Sequence, residues 1–212
     1  PEILAARELV SSGKIGRIFG VDMHLVADQT RLTKTSYHDQ WFADKERAGG
    51  GHLIWLGIHW LDLAMHITGS KISTVAGFTT NIGRQPVNIE DSATAALKFD
   101  NGALGTMTSG YYLDKGYHTH LRVWGSKGWL KVDTIGPTAL EWYSTEGENA
   151  GMVQQFEGER EPRGYTPFVR EAIRAAAGLT EPPISNLHSL RALETVHAIY
   201  EAAERGRSVE LE

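Results

Sequence analysis

The apolar positions change period along the chain, and the changes mark the elements. Ile3, Leu4, Ala6, Leu9 and Val10 recur at helical spacing, which predicts a helix over 2–12 that stops at Gly13. Pro1 suits the opening turn of that helix, because its missing N–H would find no partner there. Ile18, Val21, Met23 and Leu25 interleave with Asp22 and His24, so 15–27 reads as a strand. Residues 28–48 lose any period and read as a long polar loop carrying Arg31, Lys34, Tyr37, His38 and Trp41. Gly49-Gly50-Gly51 then leads into the most apolar stretch, 51–68, which ends at Gly69. As a helix it is apolar on almost every face and needs cover on almost every side.

Past Gly69 the period falls to two. Strands are predicted over 71–80, 91–99, 102–111, 117–124 and 128–133, with turns at Asp100-Asn101-Gly102 and Gly125-Ser126-Lys127-Gly128. The pattern continues through 139–144 and 152–156. Short loops between consecutive strands imply antiparallel neighbours. Helices over 166–178 and 187–205 end at Gly178 and Gly206, and Glu181-Pro182-Pro183 breaks the chain between them. Val209 and Leu211 suit a short final strand. This order predicts an α+β fold: a large, mainly antiparallel open β-sheet with helices packed on one face. No repeat, low-complexity tract or linker divides residues 1–212, which read as one domain.

Composition narrows the partners. Lys plus Arg is 21 and Asp plus Glu is 26 in 212 residues, a formal charge of -5, and no basic run is present, so no nucleic-acid partner is expected. Cysteine is absent, which excludes disulfides, Cys-based zinc sites and a Cys nucleophile. The stretch 51–68 approaches membrane-span length, but His52, His59, His66 and Asp62 make a bilayer costly, so no membrane partner is expected either. The chain begins at Pro1 rather than Met and shows no leader, so a processed product or fragment in the cytoplasm is the expectation. No Gly-x-Gly-x-x-Gly lies between a strand and a helix, and no Gly-x-x-x-x-Gly-Lys occurs. By itself such a chain would bind a nicotinamide cofactor weakly or not at all.

Four stretches taken together resemble one family. They are Ala48-Gly49-Gly50-Gly51-His52-Leu53-Ile54-Trp55-Leu56-Gly57-Ile58-His59-Trp60-Leu61-Asp62-Leu63, Glu90-Asp91-Ser92-Ala93, Val123-Trp124-Gly125-Ser126-Lys127-Gly128-Trp129-Leu130, and the tail from Ala198 to Leu211. In order and spacing they are similar to the C-terminal domain of the glucose–fructose oxidoreductase, inositol dehydrogenase and MocA-like (Gfo/Idh/MocA) oxidoreductases. The resemblance implies a two-domain parent. A nucleotide-binding domain upstream of Pro1 would hold most of the NAD or NADP and supply a lysine. The present domain would bind a sugar, polyol or related carbohydrate and form a homo-oligomer through its sheet.

Oxidising a secondary alcohol requires a hydride acceptor and a base whose pKa lies near the working pH. His59 stands where the resemblance implies a histidine beside the substrate; read from periodicity alone it is a hydrogen-bonded core histidine. Many relatives carry an Asp four residues earlier. Here Trp55 stands there, and an indole donates one hydrogen bond but cannot take a proton. At that position the resemblance makes Trp55 a candidate cofactor contact. Asp62 lies one turn past His59 and reads as structural.

Arg31, Tyr37, Tyr111, His118, His120 and Tyr165 are the candidate substrate contacts, within a wider pool that adds Lys34, Tyr112 and Arg163. Such aromatic faces stack on sugar C–H groups, and Arg or His bonds hydroxyls. His52, His59 and His66 follow one another in steps of about 10 Å along the helix, too far for one metal, and no metal is assigned, although His59, Asp62 and His66 share a closer spacing. Gly49-Gly50-Gly51 suits an anion at a helix start or close packing against a cofactor or a second domain, and the resemblance favours the latter. Glu90 and Asp91 are expected to start a strand or to bond nearby backbone, and no chemistry is assigned to them. Two other functions stay open: a non-catalytic carbohydrate-binding or assembly module, and a redox-neutral NAD-dependent glycosidase or lyase.

Overall fold

The computed structural model describes residues 1–159 and 164–211. Its helices are α1 (Glu2–Ser11), α2 (Thr35–His38), α3 (Lys45–Ala48), α4 (Ile58–Thr68), α5 (Tyr165–Ala176) and α6 (Asn186–Arg205). Its strands are β1 (Ile18–Asp28), β2 (Ile72–Thr80), β3 (Ser92–Phe99), β4 (Leu104–Leu113), β5 (Tyr117–Gly125), β6 (Gly128–Val132), β7 (Leu140–Ser144), β8 (Val153–Gln155) and β9 (Val209–Glu210). The long loop after β1 is not irregular throughout. It folds into the short helices α2 and α3 with a 3-10 turn at Trp41–Ala43 between them.

The strands form one nine-stranded sheet in the order β8-β7-β6-β5-β1-β4-β3-β2-β9. Every neighbouring pair is antiparallel except β1 and β4, which run parallel because the chain crosses over through α4 between them. Alternation fixes the two faces. In β3, Ala93, Ala95, Leu97 and Phe99 point inward, while Thr94, Ala96 and Lys98 point out. Met23 and Val21 of β1, Met107 of β4, and Leu121 and Val123 of β5 continue the inner face, all nearly inaccessible.

Helices α1, α4 and α6 cover that inner face. Ala192, Val196, Ile199 and Tyr200 of α6 are buried at helical spacing, and Ala6 of α1 is fully buried. Burial of a leucine- or valine-sized side chain stabilises by about 1.5–3 kcal/mol, so this layer carries most of the fold. The helix α5 differs: Phe168, Val169 and Ile173 share a stripe, yet no residue of α5 is buried. The outer face of the sheet has no helix. It carries Phe78, Leu104 and Trp124 exposed, and Trp124, Trp129 and Tyr143 stand opposite one another on β5, β6 and β7. Among the described residues no helix is long and apolar enough to cross a membrane.

Candidate functional site

The site is built on the start of the apolar helix. Leu53–Gly57 is a π-helical segment that runs directly into α4. The first N–H groups of any helix lack internal partners and carry partial positive charge. Here a carboxylate from the far side of the sequence meets them. Glu90 Oε2 accepts the Gly51 N–H at 2.6 Å, and Glu90 Oε1 accepts both the Leu53 N–H and the Tyr200 hydroxyl at 2.9 Å. The Glu90 carbonyl accepts the His52 N–H at 3.1 Å. Burial raises the Glu90 carboxyl pKa, while the bonds from Leu53, Gly51 and Tyr200 draw it back. Burial and the Glu90 charge push the Tyr200 hydroxyl far up.

This clamp corrects the expectation for the glycine run. A Cβ on Gly51 would lie 1.9 Å from the Glu90 carbonyl oxygen, and one on Gly50 would lie 2.1 Å from the Tyr200 hydroxyl oxygen. The close approach is thus to the chain's own Glu90 and Tyr200, and the anion at the helix start is the Glu90 side chain. Asp91 accepts the Ile82 N–H at 2.9 Å and the Gly83 N–H at 2.7 Å, both nearby backbone, whereas the Glu90 carboxylate reaches backbone far away in sequence.

Beneath the helix, His52 is sealed. Its Nδ1 lies 2.6 Å from Ser109 Oγ, and its ring meets Tyr111 edge-on at 4.3 Å. Burial, with a smaller contribution from the Arg31 charge, holds its pKa down at about 3, so the ring is neutral at physiological pH. The loop supplies an aromatic wall. Tyr37 and Phe42 lie 4.6 Å apart, Trp41 and Trp55 5.6 Å, and Phe42 and Trp55 6.4 Å between ring centroids. The Trp55 indole N–H is buried there without a hydrogen-bond partner among the described residues.

Above this wall, His59 is the single exposed residue between Gly51 and Thr68. The chain's own helices and sheet cover the other faces, at least in part. Open access to His59 is what a proton-accepting role requires, and a sealed core histidine would not have it.

The candidate contacts divide. Arg31 is exposed, and its charge acts on Tyr37, His52 and Tyr111, so it faces the same mouth. Tyr37 packs against a small cluster with Leu32, Leu56, Ile89 and Tyr111. Tyr111 is 6% exposed and acts as a floor; burial drives its hydroxyl pKa up. His118 and His120 are not brought to His59. Thr119, Leu121 and Val123 take the inner face of β5, which turns His118 and His120 to the outer one. There His120 Nε2 lies 2.8 Å from Asp22 Oδ2, and its ring stacks on His24 at 5.1 Å. Tyr112 also turns outward, Lys34 is exposed, and Tyr165 is 87% exposed at the start of α5. Arg163 lies outside the described residues.

Sequence reasoning passed over Tyr117, which shares Tyr111's side of the sheet through Ala27, and Phe42. Tyr117 opens a predicted strand, whereas Phe42 lies inside the long loop, where no pattern singles it out. Among the described residues no group of three or more His, Asp or Glu side chains is arranged to hold a metal ion.

The fold is an open mixed sheet with helices on one face, and the helix wall presents one exposed histidine. The model of the GFO/IDH/MocA C-terminal domain matches residues 3–131, and the chain belongs to that family. It is 26% identical over 172 residues to the myo-inositol 2-dehydrogenase of Thermotoga maritima, covering 80% of this chain and 52% of that protein. Among solved structures it superposes on an oxidoreductase domain protein from Kribbella flavida with a TM-score of 0.86 at 25% identity, covering 100% of this chain and 63% of that one. A levoglucosan dehydrogenase solved with NADH and levoglucosan shares the fold, with a TM-score of 0.79 at 18% identity over 97% of this chain and 62% of that one. The chain spans about half the length of the curated relatives it matches.

Proposed function

We propose that this chain is the substrate-binding half of an NAD(P)-dependent oxidoreductase that removes hydride from a sugar, polyol or related carbohydrate. A nucleotide-binding domain joined to it would hold most of the cofactor. The observation that carries this reading is His59, bare on an otherwise covered helix wall.

The residues present fit a nicotinamide. Trp55 offers a buried, unpaired indole N–H beside flat aromatic surface, which suits a planar group bearing a carbonyl acceptor. When bound, the nicotinamide supplies the hydride acceptor. His59 takes the hydroxyl proton on an imidazole nitrogen, since Trp55 cannot. Arg31 places positive charge at the mouth, where it donates to substrate hydroxyls and steadies a developing alkoxide. Tyr37 and Trp41 supply faces for sugar C–H groups. The Glu90 clamp fixes the backbone from which Trp55 and His59 project.

The outer face supports homo-oligomerisation. Exposed Phe78, Leu104 and Trp124 on an uncovered antiparallel sheet suit a self-complementary two-fold contact. Sedimentation of the protein is expected to show a dimer or larger at micromolar concentration, and a monomer there would remove this part.

The reaction is tested in the polypeptide that joins this chain to its nucleotide-binding domain, by following reduced nicotinamide over a panel of aldoses and polyols. His59→Ala is expected to lower kcat about 100-fold or more. Unchanged turnover in that variant would remove His59 as base. Trp55, in place of an acid, favours one rival: a carbohydrate-binding module without chemistry. Binding of sugar with no cofactor binding would establish that rival.

A further inference from the structure

The far end of α4 gathers a second set of groups that the proposed reaction does not use. Arg7 of α1, Asp62 and His66 of α4, Lys71 just beyond it, and His188 and Arg191 of α6 line a cavity of about 150 Å³. One water occupies roughly 30 Å³, so the space holds more than a single solvent molecule. His66 lies seven residues past His59, about 10 Å along the helix axis.

The charge is unbalanced. Three permanent cations, Arg7, Lys71 and Arg191, face one carboxyl group, Asp62, and two imidazoles. Arg7 Nη1 donates to His66 Nδ1 at 3.1 Å, which leaves the His66 Nε2–H and the remaining Arg7 N–H groups as donors. Among the described residues, the Lys71 ammonium, the Arg191 guanidinium and the His188 ring have no hydrogen-bond or ion-pair partner. The first turn of α6, where His188 sits, adds partial positive charge; the end of α4 adds partial negative charge at the opposite wall. Asp62 offsets only one of the three cations. Cations drawn together from two helices and the connection after α4 repel one another unless an anion joins them.

We propose that this cavity is a binding site for a tetrahedral dianion, a phosphate group either free or carried on a small molecule. Arg191 and Lys71 would grip its oxygens by charge-assisted hydrogen bonds, with Arg7 and the two histidines as further donors. Three cations against Asp62 leave a surplus that matches two negative charges rather than one.

The 212-residue chain is titrated calorimetrically with inorganic phosphate and, separately, sulfate, with potassium chloride holding ionic strength constant. One saturable site is expected, with a Kd on the order of 1 mM. Arg191→Gln and Lys71→Gln should each weaken it about tenfold, with unchanged thermal unfolding of the free protein. The imidazole resonances of His66 and His188 should shift with saturation, a readout that does not depend on any variant folding. Heat that disappears at constant ionic strength, unmoved histidine resonances, or variants that bind like the parent would overturn the proposal. Acetate competing as strongly as phosphate would also overturn it, and would instead mark a seat for a protein carboxylate.

Discussion

The two ends of the apolar helix are built on opposite terms. At its start the buried carboxylate is dry and hydrogen-bonded: Glu90 accepts from Gly51, Leu53 and Tyr200, and His52 is kept neutral beside Ser109. At its far end, charges stand wet and largely unpaired around the cavity lined by Lys71, His188 and Arg191. Between them His59 is the one exposed position. A buried carboxylate that accepts three hydrogen bonds fixes backbone position; an open, unbalanced cluster attracts a ligand. Under the proposed reaction, the first holds the face bearing His59 still, and the second is free to bind.

Glycine substitutions break this contrast most sharply. Gly51→Ala sets a methyl 1.9 Å from the Glu90 carbonyl oxygen, so the two backbone segments must part; a loss of about 3 kcal/mol or more is expected in urea unfolding. Gly69→Ala, at the other end, meets no atom within 4 Å but sits at a φ of 66°, and should cost only about 1 kcal/mol. Equal losses at both positions would contradict the difference drawn between the two ends.

Glu90→Gln keeps the shape but replaces one acceptor oxygen by an amide, stranding one of three buried donors. A loss of about 1–3 kcal/mol is expected, together with a lower melting temperature. A variant as stable as the parent would show that the clamp contributes packing and not charge.

The pH dependence of stability follows from His52. In the unfolded chain it binds a proton below its ordinary value of 6.5, whereas in the folded protein it stays neutral down to about 3. Acid therefore favours the unfolded state, and stability should fall as pH drops through that window, by up to about 1.4 kcal/mol per pH unit for this one group. His52→Gln should flatten that slope. An unchanged slope would place the acid sensitivity elsewhere.

The smallest effect is expected on the outer face. The His120–Asp22 contact is partly exposed, so His120→Ala should cost under about 1 kcal/mol and leave turnover of the joined polypeptide unchanged. A large fall in kcat would return His120 to the reacting site.

Most of the fold was legible because each element repeats its own period. Ala93, Ala95, Leu97 and Phe99 announce a half-buried strand within eight residues, and Gly69 and Gly206 stop their helices. The same alternation held the answer for His118 and His120, since Thr119 and Leu121 between them are the inward residues; grouping by chemistry rather than by face hid it. The Glu90 clamp was not legible. Its partners lie 37 to 110 positions away in sequence, and only the closed sheet brings them together. The stripe on α5 is a converse case. It predicts burial, yet Phe168, Val169 and Ile173 are exposed. Arg31, Tyr37 and Tyr111 converge near His52 as a group, though Tyr111 proves to be a buried floor.

The most direct measurement is the rate at which diethyl pyrocarbonate modifies His59, read residue by residue by mass spectrometry. In the isolated 212-residue chain His59 should react as an open imidazole. In the polypeptide carrying the nucleotide-binding domain, with reduced nicotinamide and a sugar bound, its modification should slow about tenfold or more, because the reacting pair then covers the wall. His59 modified at the same rate in both states would contradict the account.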